Sequence, residues 1–193
     1  MNSIAIIFAM ITLAYGLPPV KRSSEVESRS LWVGVACQAW HKLQPDPSAA
    51  LSQIATPPCK VPSAFPANLS GGWSVDPGCD ASLQPDTCSY HPGAYSCYRH
   101  AYAATGPGTQ ACYDVNGQFI SDPWQGAGTL DLETPIGDII QQGKHALVDV
   151  FPYYYCCSTL FKQPDTCNLY YAKRPPGQCS GELLSSLNKI KFR

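Results

Sequence analysis

Apolar positions in this chain come in short runs, and proline or glycine breaks nearly every one. Leu31–Cys37 is apolar, and Trp40 and Leu43 behind it are spaced to share a helix face. Ser48–Ala55 predicts a short helix with Ser48 as N-cap, stopped by Pro57-Pro58. Lys60–Cys79 holds Pro, Gly and Ser around isolated apolar anchors and reads as a loop. Asn116-Gly117 predicts a hairpin, because both residues tolerate positive φ. In a two-residue type I′ turn Val115 faces Gln118 and Tyr113 faces Ile120, with Cys112 and Asp114 on the other face. Thr134-Pro135 then opens the clearest helix, with Ile136, Ile139 and Ile140 at helical spacing and Gly143 as its stop. His145–Phe151 reads as a short buried strand. Leu183, Leu184, Leu187 and Ile190 suggest a helical tail whose end carries Lys189, Lys191 and Arg193. The expected fold is a small disulfide-rich α+β structure, loop-dominated, with short strands and one or two short helices.

The first residues set the compartment. Ile4–Leu13 has the length of a signal-peptide core and is short of the ~20 residues a membrane span needs. Ala14-Tyr15-Gly16 offers small residues for cleavage after Gly16. The expected organisation is a signal peptide at 1–16, a disordered leader at 17–30, a disulfide-rich domain at 31–179 and a tail at 180–193. Lys21-Arg22 in the leader is either a dibasic processing site or a solvated pair. Charged residues are 14%, and the net charge is -1, so no basic field exists to hold nucleic acid or an anionic membrane. Eighteen prolines disfavour long helices and central strands.

An oxidising compartment gives the cysteines a structural role. There are ten: Cys37, Cys59, Cys79, Cys88, Cys97, Cys112, Cys156, Cys157, Cys167 and Cys179. Cys156 and Cys157 are adjacent, far closer than the usual Cα separation of ~5.5–6 Å across a bridge. Each therefore needs its own partner, which makes the pair a hub. The aromatic run Phe151, Tyr153, Tyr154, Tyr155 leads into it. Tyr153, Tyr154 and Tyr155 form a candidate binding patch, and in an extended run Tyr154 faces away from the other two. Gln-Pro-Asp-Thr-Cys occurs at Gln84–Cys88 and at Gln163–Cys167, a turn used twice to aim a cysteine.

No catalytic, cofactor or metal site emerges. The vicinal cysteines resemble those of secreted phospholipases, but Ser158-Thr-Leu-Phe follows where those enzymes carry His-Asp. Cys97-Tyr-Arg-His100 has a zinc-like gap, yet no CxxC exists and bridges consume the thiols. His145 reads as a packed or hydrogen-bonded residue. Asp114-Val-Asn-Gly117 starts like a calcium loop but meets Pro123 where the glutamate belongs. No Gly-x-Ser-x-Gly elbow is present. Asn68-Leu-Ser70 is the single sequon, an expected glycosylation site.

Several blocks together resemble the AMOP domain, an adhesion-associated extracellular module. They are Ala36-Cys-Gln-Ala-Trp40, Pro57-Pro-Cys59, His91-Pro-Gly-Ala-Tyr-Ser-Cys97-Tyr-Arg, Cys112-Tyr-Asp-Val-Asn-Gly-Gln-Phe-Ile120 and His145…Asp149-Val-Phe-Pro-Tyr-Tyr-Tyr-Cys-Cys157…Cys167-Asn-Leu-Tyr170…Lys173-Arg-Pro175. The family often has Cys-Pro-Cys where this chain has Cys59-Lys-Val61, and a second vicinal cysteine where it has Ala111. If those two cysteines pair in relatives, both halves of one bridge are absent here. The resemblance implies a secreted interaction module for adhesion or matrix binding. Its partner would be an extracellular protein or glycan, such as a cell-surface receptor. A processed secreted ligand is the alternative, and a hydrolase finds no constellation to support it. Ten cysteines allow about nine times the 105 pairings open to eight. Among these, Cys112 and Cys97 are set against the hub, with Cys79–Cys88 as a local bridge.

Overall fold

A computed structural model describes residues 34–101, 105–135, 137–157 and 164–180. The expected signal peptide, the leader, Lys21-Arg22 and the tail helix lie outside these residues. The described residues fall into two compact units, one from 34–45, 150–157 and 164–173, the other from 46–101, 105–135, 137–149 and 174–180.

The first unit is helical. Residues 34–43 form α1, Phe151–Cys157 form α4 and Pro164–Lys173 form α5. On α1, residues 34, 37 and 40 are buried and Leu43 is 60% exposed. Trp40 and Leu43 therefore do not share the buried face. A three-residue step lags the 3.6-residue turn by about 60°, so by residue 43 the face has rotated away. Trp40 stacks on Tyr170 of α5 at 5.6 Å, and Tyr153 of α4 meets the same ring edge-on at 5.5 Å. Cys156 bridges to Cys37 and Cys157 to Cys167.

The second unit is built on an antiparallel sheet. Its strands are β1 (Asn68–Leu69), β2 (Trp73–Val75), β3 (Ser96–Ala101), β4 (Gly108–Tyr113) and β5 (Leu130–Asp131), paired in that order. The stretch expected as a loop before Cys79 thus contains two strands. Register places Tyr98 opposite Ala111 and Cys97 opposite Cys112. Alternation then gives the central pair two different faces. Tyr98, Ala111 and Tyr113 face a core that includes Val61 and Trp73. Cys97, Cys112, Arg99 and Gln110 occupy the other face, which is also covered, and all six residues of β4 are buried. Val61 and Ala111, the two positions where the resemblance expects cysteines, belong to one apolar cluster. In this chain packing holds both positions.

The bridges correct the expected map. Cys97 and Cys112 are cross-strand partners and bond each other, so neither can serve the hub. Cys79 pairs with Cys88, and these four cysteines pack together. Cys59 closes on Cys179.

The hairpin and helix ends also shift. Tyr113 pairs with Phe119, not Ile120. The Asp114 carboxylate accepts from the N–H groups of Asn116 and Gln118, which draws the chain into a three-residue loop. Gly117, at φ +73°, supplies the single left-handed position. The short helix α2 spans Ser48–Leu51, and Asp46 rather than Ser48 takes its first free N–H, at 2.8 Å. Helix α3 spans Ile139–His145 with Asp138 as its cap, not Thr134. Thr134 is buried and donates its N–H to Gly106, and Gly143 lies inside the helix it was expected to end.

The stretch expected as a strand is a π-helical turn, Ala146–Val150, leading into α4. A short apolar run fits either element. Position 152 is proline and brings no N–H to the carbonyl of Val148. That carbonyl accepts from Arg174 instead, at 3.1 Å.

The bridges close loops of unequal length. Cys37 and Cys156 are 119 residues apart, whereas Cys157 and Cys167 are 10 apart. With the other bridges intact, the first closes an effective loop of roughly 35 residues, and loop entropy then favours it by about 1 kcal/mol over the second. Removal of Cys37–Cys156 is expected to destabilise the protein more than removal of Cys157–Cys167 by that margin. Urea unfolding of paired Cys→Ser variants measures it.

Candidate functional site

Three regions carry polar or exposed groups that could act: the tyrosine run on α4, a buried ionic cluster in the sheet unit, and a groove beside the hairpin. The tyrosines are helical, so the extended alternation does not apply. Tyr153 is half-buried against Tyr170, Tyr155 is half-buried, and Tyr154 is 49% exposed. Phe151, one turn earlier, is 44% exposed. Residues three apart lie on one helix face, so Phe151 and Tyr154 form the outward pair. Asn68 is exposed on β1, and its side-chain oxygen accepts from the Ser74 hydroxyl at 3.0 Å.

The ionic cluster joins residues far apart in sequence. Arg99 on β3 reaches Asp76 at 2.8 Å and Asp131 on β5 at 2.5 Å. Gln110 on β4 donates to the same Asp76 carboxylate. Asp149 accepts from Arg174 at 2.6 Å and from the N–H groups of Leu132 and Glu133, each at 3.1 Å. His145 Nδ1 lies 2.9 Å from the Glu133 carbonyl and 3.3 Å from Asp149. Both neighbours are acceptors, so Nδ1 carries the hydrogen.

These contacts set the protonation states. Burial alone would raise the Asp149 carboxyl. The His145 hydrogen bond and the Arg174 guanidinium outweigh it and hold Asp149 below the usual carboxylate range. Burial opposes charging of His145, but the bond to Asp149 and the charge of Asp131 raise it. His91 is buried, donates to the Ala127 carbonyl at 2.9 Å, and is pushed down to about 4 by desolvation and by Arg99.

Asp131, His145 and Asp149 each bring a ligand atom within 4.8 Å of one another. Arg99 and Arg174 already supply countercharge to both carboxylates, so the geometry fits an ion-pair lattice better than a cation cage. His91 also lies near Cys97 and Cys112, but their sulfurs are bonded to each other and offer no thiolate. The sequence reading missed this cluster, apart from His145 as a bonded residue. The available signal was Asp131, a lone charge inside the apolar Thr129–Leu132 run.

The groove has a volume of about 520 Å³. Asp114 and Gln118 of the hairpin form part of its wall with Asp122, Trp124 and Pro92. Trp124 is 57% exposed. Among the described residues no helix is long and apolar enough to cross a membrane.

The AMOP domain profile matches residues 32–182. Sushi domain-containing protein 2 of Homo sapiens is 33% identical over 160 residues, covering 77% of this chain and 18% of that protein. Protein mesh of Bombyx mori is 27% identical over 156 residues, covering 76% of this chain and 10% of that protein. The chain thus spans less than a fifth of the length of either relative. No solved structure matches it.

Three outcomes are expected from the buried ionisable groups. Arg174→Met strands Asp149, which is 1% exposed, and also the Val148 carbonyl. Loss of about 3–5 kcal/mol should follow in urea unfolding, and a loss below about 1 kcal/mol would contradict the role assigned to the pair. The unfolded chain binds a proton at His91 near pH 6.5, and the folded chain does so only near pH 4. Stability should therefore fall by about 3 kcal/mol as pH drops through that window. His91→Gln should flatten this arm. His145 has the opposite sign: its contribution is full below about pH 6.5 and fades as pH rises through its raised pKa.

Proposed function

The chain belongs to the AMOP domain family, and from that membership we propose that it is a secreted adhesion module engaging an extracellular protein or glycan on a cell surface or in matrix. The observation that carries the reading is the exposed pair Phe151 and Tyr154, inside the family's Asp149–Cys157 block. Two bridges leave the same helix, so the pair is displayed on a fixed support. Aromatic rings presented in this way give contact area at low entropic cost. The apolar run at residues 4–13 supports secretion.

The whole relatives are much longer than this chain, so their activities are not transferred to it. The processed-ligand reading depends on Lys21-Arg22, outside the described residues. A hydrolase reading would need a pocket joining a histidine, a carboxylate and a nucleophile, and the described residues that line the groove include no histidine.

Labelled secreted protein should bind to cultured cells or to deposited matrix. Phe151→Ser/Tyr154→Ser should reduce that binding at least about tenfold while the bridge map stays intact. A wild-type chain that is folded and attaches to neither would sink the reading.

A further inference from the structure

We propose that Asn116 is a site of spontaneous deamidation whose rate is set by the opening of the hairpin turn that holds it.

Asn116-Gly117 is the single Asn-Gly step of the chain. Glycine has no side chain to hinder attack by its own nitrogen on the asparagine before it. In that reaction the Gly117 backbone nitrogen bonds to Cγ of Asn116. The Cγ–Nδ2 bond breaks, and ammonia leaves with the proton that the backbone nitrogen gives up. Water then opens the five-membered imide. Opening at one carbonyl gives aspartate, and opening at the other gives isoaspartate, whose main chain runs through Cγ. The net change consumes one side-chain amide and one water and yields one carboxylate and ammonium.

The fold exposes the electrophile and holds back the nucleophile. Asn116 is exposed in the turn, whereas Gly117 is buried. The Gly117 N–H donates to the Asp114 carbonyl at 2.9 Å, and the Gly117 carbonyl accepts from the Val61 N–H at 2.9 Å. A Cβ on Gly117 would lie 2.4 Å from the Val61 carbonyl oxygen, so the glycine is seated directly against that backbone. The peptide unit before Asn116 is fixed as well, through its N–H to Asp114 Oδ1 at 2.9 Å. For the Gly117 nitrogen to reach Cγ, the peptide plane between the two residues must turn and its N–H must leave the Asp114 carbonyl. Reaction therefore proceeds from the opened turn. Asp114, which also accepts from the Gln118 N–H at 2.8 Å, is the latch.

The isoaspartyl product cannot relatch. It adds one methylene to the main chain between positions 116 and 117, which shifts Gly117 off Asp114 and Val61. It also leaves a new carboxylate near that of Asp114, and like charges there repel. The pairing of Lys60 with Gln118 then loses its register. Deamidation thus makes a transient opening permanent.

The test incubates the intact secreted chain, bridges formed, at neutral pH. Peptide mapping follows isoaspartate at position 116, and NMR follows hydrogen exchange of the Gly117 N–H. The reduced, unfolded chain sets the unlatched rate, and the folded chain should deamidate at least about tenfold more slowly. Asp114→Ala should speed deamidation and Gly117 exchange by a common factor, because both need the same opening. Urea below the unfolding transition should move the two rates of the wild-type chain together in the same way, which covers a variant that does not fold. Deamidation of the folded wild type at the unfolded rate overturns the proposal. So does Gly117 exchange that rises while the deamidation rate stays constant.

Discussion

The ion pair between Asp149 and Arg174 is the constraint on which the rest of the sheet unit depends. Both side chains are almost wholly out of water, 1% and 0% exposed, so each charge is tolerable only in the presence of the other. Asp149 also takes the N–H groups that follow β5 and the ring of His145 at the end of α3. Arg174 takes the Val148 carbonyl that Pro152 cannot serve. One carboxylate and one guanidinium thus tie the end of the sheet, the helix after it and the returning C-terminal segment to a common point. Such a lattice gives little net stability over an apolar substitute, but it admits few alternative registers.

Covalent and ionic constraints divide the sheet between them. One face of β3 and β4 is an aromatic core, with Tyr98 and Tyr113 edge-to-face at 5.8 Å. The other carries the Cys97–Cys112 bridge and, two residues along, the Arg99 network. A sheet covered on both faces does not show polar-apolar alternation in sequence. That is why Ser96–Ala101 and the first part of Gly108–Tyr113 did not read as strands, whereas Cys112 and Tyr113 were legible through the hairpin they lead into.

What was legible followed from chemistry confined to neighbours in sequence. The vicinal cysteines had to part company, and they do, toward Cys37 and Cys167. Asn116-Gly117 marked a hairpin, although its register escaped because the Asp114 side chain, not the dipeptide, decides the turn. The π-turn before α4 escaped because its cause is divided between a proline in the run and an arginine 26 residues from Val148. Arg99 finds its carboxylates 23 and 32 residues away, a pairing that no local pattern announces. Cysteine identity could be read, but partner choice depended on a strand register visible only once the fold was known.

Consecutive residues on a helix point about 100° apart around its axis. Cys156 and Cys157 therefore send their bridges off α4 in different directions, one to α1 and one to α5. A helix held by a single bridge can roll like a rod in a loose collar. Two tethers at different azimuths cancel that torque, so the bearing of Phe151 and Tyr154 is set by sulfur rather than by the rings' own contacts.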